Sequence, residues 1–128
     1  MKGLFILFLL LPLSLFSQEI PTMKQVFNPK RFQVLGDTTI YGKVVEVVWE
    51  LDGDYHVDIK TSNAVIVTEV VCAHKSIYPF NCPCKGYKNM IALPNKGDSV
   101  AVSGPYVIDN PHDIFEVHPI QKIVVFKK

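Results

Sequence analysis

Residues 41–60 read Tyr41-Gly-Lys-Val-Val-Glu-Val-Val-Trp-Glu-Leu-Asp-Gly-Asp-Tyr-His-Val-Asp-Ile-Lys60. β-branched and aromatic residues dominate on both sides of Asp52-Gly53, the dipeptide favoured where two twisted strands reverse. The stretch predicts a hairpin. In its first arm Val45, Val47, Trp49 and Leu51 are placed toward a core, with Glu46 and Glu50 outward. Val44 and Val48 break the alternation, so both faces are partly covered or a bulge re-aims the strand. In the second arm Tyr55, Val57 and Ile59 share one face, and His56, Asp58 and Lys60 the other.

Working outward, Ser62-Asn63 marks a turn, and residues 64–72 form a nearly continuous apolar third strand. Residues 73–98 carry Pro79, Pro83, Gly86, Pro94 and Gly97, which exclude a long helix and predict a long connection, with a short strand at 90–93. Ser99 to Gly104 is a fourth strand with Val100 and Val102 inward. Residues 105–113 read as a loop, and 114–125 as the last strand, with Phe115 and Val117 alternating against Glu116 and His118. Pro119 suits an edge or a bulge. Five short strands without packing helices predict an all-β domain closed as an OB-like Greek-key barrel. An immunoglobulin-like sandwich is the alternative, and it needs about seven strands.

The chain has 128 residues, 48% hydrophobic and 20% charged, a globular composition with room for one domain. Lys2 precedes the uncharged apolar run 4–11, and Pro12 and Ser17 follow. This layout predicts a signal peptide, residues 1–17, with an uncleaved anchor as the alternative. The run is short for a membrane span, and no second one follows. Residues 18–38 read as a lead-in punctuated by Pro21, Pro29 and Gly36-Asp37, so the barrel domain is expected over 39–128. Beyond the leader Lys plus Arg balances Asp plus Glu at 12 each. That balance lacks the positive excess of nonspecific nucleic-acid binders.

Cys72, Cys82 and Cys84 fit an oxidising compartment. Cys82 and Cys84 are too close to bridge each other, so Cys72 pairs with one of them. The blocks Gly42-Lys-Val-Val-Glu-Val47, Asp52-Gly-Asp-Tyr-His56, Glu69-Val-Val-Cys72, Cys84-Lys-Gly-Tyr-Lys-Asn89, Gly104-Pro-Tyr-Val-Ile-Asp109 and Glu116-Val-His-Pro119 span most of the mature chain. On these the sequence resembles a family of small, uncharacterised exported bacterial proteins with an OB-like barrel. The resemblance implies a fold and an exported location, periplasmic or secreted. It also implies a Cys72–Cys84 bridge with Cys82 as the extra thiol.

Barrels of this class bind ligands on the face of strands two and three, framed by two loops. Here those loops are 50–54 and 105–113, which nominates Asp52, Asp54, His56, Asp109, His112 and Asp113 as ligand contacts. Imidazole with carboxylate also suits zinc or another divalent transition metal, which nominates His56, His112, Glu116 and His118; carboxylates alone suit calcium. The third strand separates His56 from His118, so side chains must reach across it. The same acids also serve ordinary turns and polar pairs. No phosphate loop, zinc-protease helix or serine elbow is present, and no nucleophile is identified for His56 to serve. Tyr55, Tyr78, Phe80, Tyr87 and Tyr106, with Lys75, Lys85, Lys88 and Lys96, offer stacking and charge for a single strand, but the loop nearest Tyr55 is acidic. The expected function is therefore a noncatalytic exported binding module for a small ligand or protein. A metal-dependent enzyme and oligonucleotide or oligosaccharide binding are the alternatives.

Overall fold

A computed structural model describes residues 30–78, 84 and 89–126. The leader, the first part of the lead-in, Cys82, Phe80, Tyr87, Lys85 and Lys88 lie outside the described residues. The described chain is all β, with six strands in one sheet: β1 Phe32–Trp49, β2 Tyr55–Lys60, β3 Val65–Val70, β4 Ser99–Asp109, β5 Ile114–Val117 and β6 Lys122–Phe126. Their order is β1-β2-β3-β5-β4-β6, and β1 also pairs with β4. The β3–β5 pair is parallel and the others are antiparallel. Among the described residues no helix is long and apolar enough to cross a membrane.

One long strand makes this arrangement possible. Residues 43–49 of β1 pair with β2, while 32–43 pair with β4, so Lys43 faces both Lys60 and Ser99. Register shifts between Val34 and Gly36 and between Val44 and Glu46 bend the strand toward each partner. The second shift resolves the broken alternation of the sequence: Val44 is buried and Val47 half-buried, both against the core. Trp49 and Leu51, expected to face the core, are instead exposed at the end of the strand and just past it. Trp49 stacks on His74 at 4.7 Å.

The core is built from Val44, Val57, Ile59, Val70, Val100, Val102, Val117 and Ile120, all β-branched residues that pack well on a pleated surface. Ile91 and Leu93 pack against it from the connection, although 90–93 forms no strand. Cys72 and Cys84 are bridged, with Cα atoms 5.3 Å apart.

Three boundaries differ from the sequence reading. β1 begins at Phe32, inside the stretch read as a lead-in, because Gly36 accommodates a bulge at φ 147° rather than ending the strand. β4 runs on through Pro105 to Asp109, where a loop was expected. Pro105 has no N–H to give, and its carbonyl accepts from His118 N–H at 3.0 Å. The last strand is two strands. Its break falls at the cis His118-Pro119 bond, after which β6 pairs with the first half of β4.

Candidate functional site

Inward-facing Val57 and Ile59 turn His56 and Asp58 outward; Val70 does the same for Glu69, and Val117 for Glu116 and His118. Antiparallel register sets His56 opposite Glu69. Parallel register pairs Val67 with Glu116 and Thr68 with Val117, and the next step brings Glu69 to His118. Ile120 N–H donates to the Glu69 carbonyl at 2.7 Å, which pins the segment after β5 in that register. Glu69, at the end of the middle strand, thus spans the gap that separates His56 from His118.

The geometry is close. His56 Nε2–H donates to Glu69 Oε1 at 2.5 Å, and His56 Nδ1 is 3.8 Å from Glu50 Oε1. His118 Nδ1 is ion-paired with Glu69 Oε2 and lies 3.2 Å from Glu116 Oε1. Glu69, Glu116 and His118 are buried, whereas the His56 side chain is 31% exposed. Phe32 stacks on the His118 ring at 4.2 Å, and the Arg31 guanidinium lies 4.8 Å from the Phe32 ring centre. The cluster is therefore polar, buried and outside the apolar core.

Its electrostatics follow from that packing. The Glu69 hydrogen bond raises the His56 pKa to about 9, against the opposing effect of burial. Burial would lower His118, but the carboxylates of Glu116 and Glu69 against its ring win and raise it to about 9. Burial likewise works to raise Glu69, yet His118 and His56 hold it well below the usual carboxylate range.

The remaining nominated residues form two other groups. Asp109, buried at the end of β4, accepts from Arg31 Nε at 2.9 Å and Nη2 at 2.7 Å, and lies 2.5 Å from His112 Nδ1. Arg31 chiefly holds the Asp109 carboxyl below its ordinary pKa. His112 therefore joins Asp109 and not the His56–His118 array. Asp113 is exposed at φ 54°, where its N–H closes the turn onto the Asp109 carbonyl at 2.8 Å. At the other loop, Asp52 Oδ1 accepts from Asp54 N–H at 3.2 Å. Asp54 Oδ1 accepts from Cys72 N–H at 2.6 Å, and burial raises its pKa to about 6.

Sequence reasoning missed Glu69, Arg31 and Phe32. Glu69 carried a signal: it is the sole charge among residues 64–72. Arg31 and Phe32 sat in the presumed lead-in and carried none.

Two groups of donors converge closely enough to hold an ion. Glu69, Glu116 and His118 place one ligand atom each within 4.8 Å of one another; Asp54, Cys72 and Cys84 do likewise, but those sulfurs are joined in the disulfide. No known family model matches the chain, and no curated protein matches it.

Proposed function

We propose that this chain is an exported, noncatalytic binding module built as a five-stranded OB-like Greek-key barrel. The observation that carries the reading is the circuit of pairings β1–β2–β3–β5–β4–β1, with its single parallel step at β3–β5. β6 extends the first half of β4 and lies outside the circuit. The disulfide fits an oxidising compartment.

The binding surface is the outer face of β2 and β3 with its two bordering turns. Glu46 and Asp58 are paired on that face beside His56, and Glu50 and Asp52 continue the acidic rim. Trp49, Leu51, Ile77 and Tyr78 stay exposed next to it, and Ile77 N–H donates to the Leu51 carbonyl at 2.9 Å. Apolar side chains beside carboxylates suit a basic segment of a protein partner better than a phosphate backbone. Both His56 ring nitrogens face carboxylates, so this imidazole is held as a charged partner, not as a base beside a nucleophile.

Chemical-shift mapping tests the reading. Short basic peptides, oligosaccharides and single-stranded oligonucleotides are titrated into the full chain. Saturable shifts at Trp49, Asp52, His56 and Tyr78 with the peptides are expected. Shifts confined to the opposite face of the sheet would refute the surface, and salt-sensitive binding of oligonucleotides there would replace the ligand class.

A further inference from the structure

We propose that Glu69, Glu116 and His118 bind a divalent transition-metal ion, with zinc the best match, and that His56 orients Glu69 from outside. The inference goes beyond the binding-module reading and is separable from it, because metal uptake reports on the buried cluster and peptide binding on the rim.

Three features carry it. Glu69 Oε2, Glu116 Oε1 and His118 Nδ1 converge within 4.8 Å. One imidazole and two carboxylates are a borderline donor set suited to zinc, and three protein donors leave one position for an outside ligand. Secondly, Glu69 Oε2 and Glu116 Oε1 are sealed from solvent, and neither accepts a well-aligned hydrogen bond. Both lie against the same His118 nitrogen, which can direct one N–H at only one of them. A cation at the point of convergence satisfies both oxygens together, with the ring nitrogen as the third donor. Thirdly, a supporting contact stands just outside the donor set. Glu69 Oε1 remains bonded to His56 Nε2, the outer contact that fixes a ligating group in place.

Isothermal titration of chelator-treated full chain with zinc, followed by metal analysis, tests the site. One zinc per chain is expected. His118→Ala and Glu116→Gln should each weaken binding by about 100-fold or more, and His56→Gln by about 10-fold. His112→Ala and His74→Ala should leave it unchanged. Should the first two variants fail to fold, histidine ring nitrogen spectra of the wild-type chain decide: zinc must move His118 Nδ1 and leave His112 in place. No uptake of zinc, cobalt or manganese by the wild type, or uptake that moves His112 or His74 instead of His118, would overturn the proposal.

Discussion

Arg31 grips Asp109 at two points, Nε to Oδ1 at 2.9 Å and Nη2 to Oδ2 at 2.7 Å. The pair fastens the entry of β1 to the end of β4, two places that lie 78 residues apart. Asp109 is 1% exposed, so Arg31→Ala strands a buried carboxylate that keeps its side-chain contact with His112. The expected cost is about 2–3 kcal/mol, less than for a fully buried pair because the Arg31 side chain is 34% exposed. Adding Asp109→Asn should recover part of the loss. Urea unfolding of both single variants and the double variant gives the coupling, and additive losses would contradict the grip.

Glu69→Gln keeps the shape of the middle residue and removes its charge. His56 and His118 then lose the anion they share. In the metal-free wild type both rings should remain protonated to about pH 9. In the variant both midpoints should fall, His118 further because it is the more buried. Histidine ring NMR across pH 5–10 (roughly the span set by the ordinary and raised values) reads this directly. A His118 midpoint unmoved by the substitution would show that Glu69 is not the bridge.

The site was half legible in the sequence, for a reason that lies in the pleat. Alternation around Val57, Ile59 and Val117 puts His56, Glu116 and His118 on outward positions, and that much can be read from order alone. It cannot show that outward differs from exposed. Glu116 and His118 are buried, and the Phe32 ring stacks on the His118 imidazole. Glu69 looked like an interruption in an apolar strand until the parallel β3–β5 register set it beside His118. Gly36-Asp37 read as punctuation because a bulge glycine and a turn glycine share one signature: both need a backbone that other residues resist. That ambiguity hid Arg31 and Phe32.

Stability of the metal-free chain should peak in mildly acidic solution. His56 and His118 have folded pKa values above the ordinary 6.5, so their contribution is complete below about 6.5 and is lost as pH rises toward 9. Glu69 and Asp109 are shifted down, so their contribution is present above about pH 4.5 and is lost as pH falls. Asp54, raised to about 6, costs stability as pH rises from about 4 to 6, because the folded state resists its ionisation, and so draws the maximum toward the acid end of that range. Thermal unfolding with chelator present should give a maximum between about pH 4.5 and 6.5. Zinc should flatten the alkaline side, since the ion takes over from the displaced protons. A melting temperature that climbs from pH 6.5 to 9 without metal would contradict the protonated array.

Breaking the Cys72–Cys84 bridge opens a loop of 12 residues in sequence separation and should cost about 3 kcal/mol by loop entropy. Cys72 N–H also donates to Asp54, and His74 N–H to the Gly53 carbonyl, so the turn after β1 is strapped to the same segment. The Cys72→Ser/Cys84→Ser double variant should therefore show faster amide exchange at Gly53 and His74 than in β4. Uniform acceleration across the sheet would mean that the bridge acts on the whole domain and not on this strap.

Gly104 tests whether packing on the far side of β4 positions His118. A Cβ at Gly104 would overlap the Pro119 carbonyl oxygen and lie 3.0 Å from Val117 Cγ1. Both atoms flank His118. The segment cannot simply withdraw, because His118 N–H donates to Pro105 and Gln121 N–H to Ser103 at 2.8 Å. Gly104→Ala should thus cost about 2 kcal/mol or more and weaken zinc binding, though it touches no donor atom. Gly97→Ala is the control: open space surrounds that position, but its φ of 96° is strained for alanine, so about 1 kcal/mol of stability should be lost with zinc affinity intact. Thermal unfolding and zinc titration of the two variants separate the effects. Equal zinc affinity in both would mean that His118 keeps its place without the Gly104 contact.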